Sequence, residues 1–192
     1  MSAARYNLFF AIFPDEATAV GVEFLAEKVR RDHGLTGRPL KTAHFHVSLH
    51  GLGRYAEKPQ RLVEQCVRAA AQIKTSPFPV TFNRITSFKR KGKRTHPAAL
   101  VSDDELEALG QLHADMFTAL KLAGVTGLSK SGFTPHITLL YDEDLIPEDH
   151  PIVRPISWEV KEFALVWSHI GETRYDFLGK WTLTGACKST RE

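Results

Sequence analysis

Cysteine is scarce in this sequence, and the two copies are not placed to act together. Cys66 and Cys187 are the only cysteines among 192 residues, and they lie far apart, outside any C-x-x-C pattern. This spacing argues against a disulfide framework and against a thiolate metal site. Each cysteine is therefore interpreted as a small hydrophobic residue.

Long hydrophobic runs are missing as well. The N-terminal stretch NLFFAIF covers only seven residues and runs directly into Pro14, Asp15 and Glu16 without a small-residue cleavage site. It therefore predicts a buried strand and not a signal peptide. Nothing longer suggests a membrane span. We expect a cytoplasmic protein that does not contact a membrane.

A general excess of positive charge is also absent. The formal net charge is only +3, and the segment KRKGKR at residues 89–94 holds five of the 25 basic residues, which leaves 20 against 22 acidic residues elsewhere. Such localised charge is complementary to backbone phosphates, so we expect RNA contact here, with a solvated hairpin tip as a nearly equal alternative. The charged residues of this basic loop are Lys89, Arg90, Lys91, Lys93 and Arg94.

The pattern of apolar residues predicts an α+β protein. Helical spacing recurs over residues 17–29, 62–73 and 106–120, and Ser102 with Glu105 forms a candidate capping box for the third helix. Segments of strand composition cover residues 6–13, 42–51, 78–88, 97–101, 133–141, 157–170 and 175–185, the last two as a closing antiparallel pair. Since the chain lacks the glycine-rich turn of a dinucleotide site, we expect mainly antiparallel sheets.

The segment TAHFHVSLHG places polar side chains at every second position. These are His44, His46, Ser48 and His50, which would share one face of a regular strand. His44 and His50 have no counterpart in any other segment, and for these two a structural role is the favoured interpretation. The segment HFH also resembles the HxH element of metal-dependent hydrolases, but no supporting acidic or histidine motif has ligand spacing. We expect no metal and no cofactor.

A second segment repeats the central part of the first. The triplet HVS at residues 46–48 and the triplet HIT at residues 136–138 are each followed by leucine, and they are 90 residues apart. Each triplet follows a predicted helix, which indicates a duplicated half. Period-two geometry would aim both imidazoles and both hydroxyls into one space.

Two imidazoles and two hydroxyls suit in-line attack at phosphorus. One imidazole can take a proton from a nucleophile while the other gives one to a leaving group, because imidazole titrates near neutrality. The hydroxyls of Ser48 and Thr138 can donate hydrogen bonds to the non-bridging oxygens of a phosphate. The spacing does not decide which histidine is the acid.

These segments, with the opening YNLFFAIFP and the closing FALVWSHIGETRYDFLGKWTLTG, resemble the two-histidine (2H) phosphoesterases. The resemblance is closest to bacterial RNA 2′,3′-cyclic phosphodiesterases, often labelled 2′-5′ RNA ligases. It implies one domain over residues 1–192, made of two interleaved lobes with pseudo-twofold symmetry. Each lobe would have a mainly antiparallel sheet flanked by helices, and the cleft between the lobes would contain both motifs.

The resemblance also implies roles for individual residues. His46 and His136 would be the catalytic pair, and Ser48 and Thr138 would bind phosphate. Tyr141 and Asp142 stand where an arginine is expected after the second motif. Tyr141 and the basic loop are therefore interpreted as substrate-binding, and the loop, His44 or His50 would compensate for the missing cation.

The expected function is a metal-independent phosphodiesterase that opens a 2′,3′-cyclic phosphate at an RNA end to a 2′-phosphate. The reversed chemistry would account for 2′-5′ ligation. One alternative is the same chemistry on a small nucleotide, such as a cyclic ADP-ribose phosphate or a 2′-5′ linked oligoadenylate. Another is an RNA-binding module with silent histidines. We expect a monomer whose partners are RNA ends or small cyclic-phosphate nucleotides.

Overall fold

Strands and helices interleave along the chain. The structure, a computed structural model, describes residues 5–129 and 132–185. In these residues the helices are α1 (Glu16–Asp32), α2 (Gln60–Ala70) and α3 (Glu107–Leu122). The strands are β1 (Tyr6–Ile12), β2 (Val47–Tyr55), β3 (Phe78–Ser87), β4 (His96–Val101), β5 (Ile137–Asp142), β6 (His150–Val160), β7 (Glu162–His169) and β8 (Arg174–Thr182).

The strands of the described chain form one antiparallel sheet in the order β6-β3-β4-β5-β2-β1-β7-β8. Its two halves, β2-β1-β7-β8 and β5-β4-β3-β6, meet through one residue pair, Val47 with Ile137. The expectation of two separate sheets is wrong in this detail, because that pair joins the halves into one sheet. The α+β class and the pseudo-twofold arrangement are confirmed, since β1 and β4 occupy matching places beside β2 and β5.

The two faces of the sheet have different surroundings. Leu8 and Phe10 of β1 point into the main hydrophobic core, which contains buried residues from all three helices. Phe9 and Ala11 point the other way and pack with Ala164 and Val166 of β7 in a small second cluster. We call these the helix face and the open face. The alternation follows directly from the period of two in a strand.

A β-bulge at Leu49 interrupts the alternation in β2. Ser48 pairs with Ala11 and His50 pairs with Phe10, which leaves Leu49 as the extra residue of a bulge. Ser48 is therefore on the open face with Ala11, whereas His50 is turned into the core with Phe10. The expectation that His50 shares the face of Ser48 is wrong for this reason.

The second motif carries the same bulge. Thr138 pairs with Ala99 and Leu140 pairs with Ala98, so Leu139 is the extra residue on β5. The internal repeat thus extends beyond the residue types to the irregularity of the backbone. His50 occupies the place that Leu140, a fully buried apolar residue, has in the other half.

His50 packs against α3. Its ring stacks on that of His113 with 4.1 Å between centroids, and its Nε2–H donates to the His113 carbonyl oxygen at 2.9 Å. Burial lowers the pKa of His50, and this outweighs the opposing effect of the bond to the carbonyl. Burial, followed by repulsion from His50, lowers the pKa of His113 to about 4. Both rings are therefore neutral at pH 7.

The helices differ from the sequence pattern in two details. Val20 and Phe24 belong to the apolar residues at helical spacing in the first helix, but both are exposed, Phe24 by 73%. The core face of α1 instead follows Ala19, Val22, Ala26 and Val29. Ser102 does not cap α3, which begins later, at Glu107; its Oγ accepts a hydrogen bond from the N–H of Asp104.

Other expectations concern the hydrophobic residues. Cys66 is buried in α2, as expected for a small hydrophobic residue, whereas Cys187 lies outside the described residues. Gly124 follows α3 with φ of +83°, a conformation that favours glycine and ends the helix.

Among the residues that the structure describes, no helix has the length and hydropathy needed to cross a membrane.

Asp142 fixes the loop after α1 against the end of β5. Its buried carboxylate accepts hydrogen bonds from the N–H groups of Thr36 at 2.7 Å and Gly37 at 2.5 Å. Burial acts to raise the pKa of Asp142, but donors from Asp144, Gly37 and Thr36 outweigh it, and the pKa lies below its ordinary value. Asp142 stands where an arginine was expected after the second motif. Its role is structural, because it holds the loop after α1 in place.

We predict that His50→Leu makes folding less sensitive to acid. Between the ordinary histidine pKa of ~6.5 and its lowered value in the fold, the unfolded chain binds a proton at His50 that the folded chain does not, so stability falls as the pH falls. Leucine removes this contribution and matches Leu140 in shape. Urea unfolding at pH 7 and pH 5 measures the loss, which should be smaller in the variant. An equal loss in both proteins would contradict the prediction.

Candidate functional site

The two histidine–hydroxyl motifs meet at the junction between the halves of the sheet. Val47 and Ile137, the middle residues of the two triplets, pair in antiparallel orientation. In such a pair, the residue after one partner lies beside the residue before the other. Ser48 is therefore next to His136, and Thr138 is next to His46. The register places each imidazole beside the hydroxyl of the opposite motif.

Both imidazoles are held in the same way. His46 Nδ1 lies 2.7 Å from the carbonyl oxygen of His44, and His136 Nδ1 lies 2.8 Å from that of Thr134. A carbonyl can only accept, so each Nδ1 carries the hydrogen and Nε2 is the basic nitrogen of the neutral ring. His46 Nε2 is 3.1 Å from Ser48 Oγ, which donates to it in this tautomer. Each motif thus presents a defined tautomer.

Aromatic rings surround His46. Phe9 stacks on it with 5.0 Å between centroids, and Phe13 and Tyr175 lie at 5.7 and 5.8 Å. This burial lowers the pKa of His46 to about 4, against the effect of its bond to the His44 carbonyl, and a charge on His136 adds repulsion. His46 is therefore neutral at pH 7, and its Nε2 electron pair accepts the hydrogen bond from Ser48 Oγ.

His136 has a different environment. Like His46 it is half-buried, but the ring that meets it edge to face is that of Phe88, with 5.1 Å between centroids. Thr138 is also half-buried, whereas Ser48 is exposed. The two motifs therefore share their backbone geometry but differ in the number of aromatic neighbours.

His44 contributes its backbone to the site. It lies in a short 3₁₀ turn, Thr42–His44, directly before the strand, and its carbonyl holds His46. Its own ring is buried against Tyr175 with 4.5 Å between centroids, and burial lowers its pKa. The predicted row of histidines is thus reduced to His46, because His44 precedes the regular strand and His50 follows the bulge.

The cations of the basic loop are not equivalent. Lys89, Lys91 and Lys93 are exposed, and Arg94 forms an exposed ion pair with Glu143 at 2.7 Å. Arg90 is half-buried and differs from the other four in its contacts. The sequence predicted the loop as a unit, but the structure separates one of its residues from the rest.

Arg90 is held over Tyr141. Its Nε and Nη2 donate to the Thr95 carbonyl oxygen at 3.0 and 2.7 Å, and its guanidinium carbon lies 5.1 Å from the centre of the Tyr141 ring. Tyr141 pairs with Pro97, and Thr138 pairs with Ala99. Pro97 and Ala99 are two residues apart on β4 and share a face of the sheet, so the side chain of Tyr141 is on the open face with Thr138. A cation therefore lies beside the end of the second motif, at the place where the sequence itself has no arginine.

Tyr175 was not selected from the sequence. This residue of β8 pairs with Ser168 of β7, and its ring contacts the rings of His44 and His46. It is also close enough to Tyr141 for the two phenols to interact. Burial, followed by the interaction with Tyr141, raises the pKa of Tyr175 to about 12, so its hydroxyl stays protonated. Only its place in the closing strand pair could have indicated it.

In residues 5–129 and 132–185, no group of three or more histidine, cysteine, aspartate or glutamate side chains is arranged to hold a metal ion. His44, which the HxH interpretation pairs with His46, presents its carbonyl and not its ring to that residue.

A family model described as the 2′-5′ RNA ligase superfamily matches residues 8–172. A comparison with curated protein sequences gives no match. Several solved structures are similar to this chain over nearly its whole length, and their likeness shows the fold.

Three of these structures illustrate the similarity. The protein TT0787 of Thermus thermophilus has a TM-score of 0.71 at 24% identity, over 93% of this chain and 98% of that chain. LigT of E. coli in its apo form has a TM-score of 0.70 at 25% identity, over 95% and 99%. The complex of E. coli LigT with 3′-AMP has a TM-score of 0.68 at 24% identity, over 95% and 99%.

We predict that His46 titrates near pH 4 in the free protein. The aromatic rings around it displace part of its hydration, which disfavours the charged imidazolium. Following the ring proton resonance of His46 by NMR between pH 3 and 8 measures this, and Phe13→Ala, which removes one ring, should move the midpoint upward toward the ordinary ~6.5. A midpoint near that ordinary value in the unaltered protein would show that the ring is well hydrated.

Proposed function

The chain belongs to the 2′-5′ RNA ligase superfamily, and on this premise we propose that it opens 2′,3′-cyclic phosphates at RNA ends to 2′-phosphomonoesters. One observation carries the proposal. Two imidazoles, each fixed through Nδ1 by a backbone carbonyl two residues earlier, lie on either side of the Val47–Ile137 pair. Each has a hydroxyl of the opposite motif beside it.

The proposed reaction is an in-line displacement at phosphorus by water. One imidazole takes a proton from the water, whose oxygen forms a bond to phosphorus. The bond from phosphorus to the 3′ oxygen breaks, and that oxygen takes a proton from the other imidazole. The product has a 2′-phosphate and a 3′-hydroxyl. When the 5′ hydroxyl of a second RNA end attacks phosphorus in place of water, the same displacement breaks the bond to the 3′ oxygen and leaves a 2′-5′ linkage.

We assign the base to His46 and the acid to His136. The aromatic rings around His46 keep it neutral at pH 7, with an unprotonated Nε2 that accepts a hydrogen bond from Ser48 Oγ. The acid must hold a proton at the start, and His136, which has fewer aromatic neighbours, takes that role. The sequence alone left this assignment open, and the difference in surroundings supports it.

Ser48, Thr138 and Arg90 are assigned to the phosphate. The register sets each hydroxyl beside the imidazole of the opposite motif, from where it can donate to the non-bridging oxygens. Arg90 supplies the cation that the second motif lacks, and its bonds to Thr95 hold the guanidinium over Tyr141. A cation held in place before binding stabilises developing negative charge more effectively than a freely moving one.

The alternative of a small nucleotide substrate uses the same chemistry. E. coli LigT forms complexes with 3′-AMP, ATP and NADP⁺, which favours a nucleotide of some kind for this chain as well. The RNA-binding alternative, in which the histidines are silent, is separated from both enzymatic proposals by turnover of a cyclic mononucleotide.

Replacing either motif histidine should remove most of the activity. His46→Ala and His136→Ala should each lower kcat on 2′,3′-cyclic AMP by roughly 10²- to 10⁴-fold, the range for loss of a general acid or base. His33→Ala, a histidine whose ring stacks on His150, is the matched control and should change little. Activity should persist in EDTA, because imidazoles supply the proton transfers. A folded variant of either motif histidine with full activity would refute the assignment.

Arg90 should matter for a mononucleotide, unlike the rest of the basic loop. Arg90→Ala should lower kcat/KM on 2′,3′-cyclic AMP about tenfold or more, as expected when a charged hydrogen-bond donor is lost. Lys93→Ala, an exposed cation from the same loop, is the control; it should leave the mononucleotide unaffected and reduce only the salt dependence of oligonucleotide binding. Equal effects of the two substitutions would contradict the separation of Arg90 from the loop.

A further inference from the structure

A row of side chains on β8 continues the open face beyond the candidate site. Phe177 pairs with Val166, and Lys180 pairs with Ala164, and both partners belong to the open-face cluster. Phe177 and Lys180 therefore lie on the same side of the sheet as Ser48. β8 is the outermost strand of its half of the sheet, so this row runs from the site toward the edge.

Phe13 connects the row to the catalytic candidate. Its ring lies 5.7 Å from that of His46 and 5.4 Å from that of Phe177, which it meets edge to face. Phe177 remains 46% exposed despite this contact. An exposed aromatic ring thus lies two ring contacts from His46, with Phe13 as the residue between them in that path.

A cation accompanies the exposed ring. Lys180 Nζ lies 4.7 Å from the centre of the Phe177 ring. The same nitrogen donates to Glu162 at 3.0 Å, but both side chains of that pair are half exposed. Exposed ion pairs contribute little stability, so a phosphate can compete for Lys180.

We propose that Phe177 and Lys180 form a second subsite, which binds the nucleotide on the 5′ side of the one that carries the cyclic phosphate. The base stacks on the Phe177 ring, and its phosphate pairs with Lys180. The proposal rests on the proposed function, and it names the substrate class: single-stranded RNA ends are preferred to mononucleotides.

The chemistry of the surface favours this occupant. Single-stranded nucleic acids bind where aromatic rings offer stacking surfaces and nearby cations accompany the backbone. A cyclic phosphate held between His46 and His136 ends its strand, so the strand can continue in only one direction, toward its 5′ side. The row from Phe13 to Lys180 supplies an aromatic surface and a cation in immediate continuity with His46.

The test compares two substrates. Diadenosine monophosphate with a terminal 2′,3′-cyclic phosphate reaches the second subsite, whereas 2′,3′-cyclic AMP does not. In the unaltered protein, kcat/KM should be higher for the dinucleotide. Phe177→Ala should lower the ratio of the two values about tenfold, as expected for loss of one base–aromatic stack. If the substitution disturbs His46 through Phe13, it lowers kcat/KM for both substrates alike, and this effect cancels in the ratio.

Further variants separate stacking from other effects. Phe177→Tyr keeps a flat ring and should keep the ratio, whereas Phe177→Leu keeps an apolar side chain without a ring and should lower it. Phe24→Ala is the matched control, since Phe24 is even more exposed but lies on α1; the ratio should not change. A preserved ratio in Phe177→Ala or in Phe177→Leu, or a ratio near one in the unaltered protein, would overturn the proposal.

Failure of the subsite can be distinguished from failure of the proposed function. If neither substrate is turned over, the phosphodiesterase assignment fails. The subsite is then tested by calorimetric binding of the 2′-phosphorylated dinucleotide and of adenosine 2′-phosphate. Tighter binding of the dinucleotide that is lost in Phe177→Ala would support the subsite, and equal binding of both ligands would overturn it.

Discussion

The pairing of Val47 with Ile137 is the contact on which the arrangement of the site depends. Each half of the sheet has extensive pairing within itself, but the halves meet through these two residues. Both point into the core and are completely buried, so apolar packing holds the register where few backbone hydrogen bonds are available. A shift by one residue would turn the neighbouring side chains to the other face of the sheet. The positions of the histidines and hydroxyls follow from this pair.

The site combines symmetric backbones with asymmetric surroundings. The bulges at Leu49 and Leu139, and the carbonyls of His44 and Thr134, repeat in the two halves. The aromatic rings do not repeat: Phe9, Phe13 and Tyr175 enclose one imidazole, whereas within the described chain Phe88 alone lies against the other. In the proposed mechanism, symmetry supplies two similar imidazoles, and the aromatic rings around His46 distinguish it as the base. The proposed direction of proton transfer therefore depends on residues outside the motifs.

The sequence predicted the class of fold and the pair of motifs, because both depend on local patterns. Helical and strand periodicity is a property of short segments, and the recurrence of HVS as HIT can be read without knowing the fold. The face of His50 could not be predicted, since a bulge depends on pairing with a strand far away in sequence. The exposure of Phe24 on α1 could not be predicted for the same reason, because packing against distant strands of the sheet decides which side of a helix is covered.

The sequence also could not show which cation of the basic loop or which aromatic ring lies near the site. Arg90 and Lys93 are equivalent in a string of basic residues, and the contacts of Arg90 with Thr95 and Tyr141 separate them. Tyr175 and Phe177 are ordinary members of a strand until their partners on β7 show which face they occupy. The type of each side chain can be read from the sequence, whereas its neighbours depend on strand pairing between segments that are far apart in the sequence.

The close approach of Gly37 to β5 places a constraint at a position that has no part in the chemistry. A Cβ at Gly37 would lie 2.0 Å from the carbonyl oxygen of Tyr141, and backbone cannot yield as a flexible side chain does. Any substitution there must displace either the loop after α1 or the strand that carries the second motif. A survey of tolerated substitutions would therefore find position 37 among the most restricted, although it lies about 100 residues before His136 in the sequence.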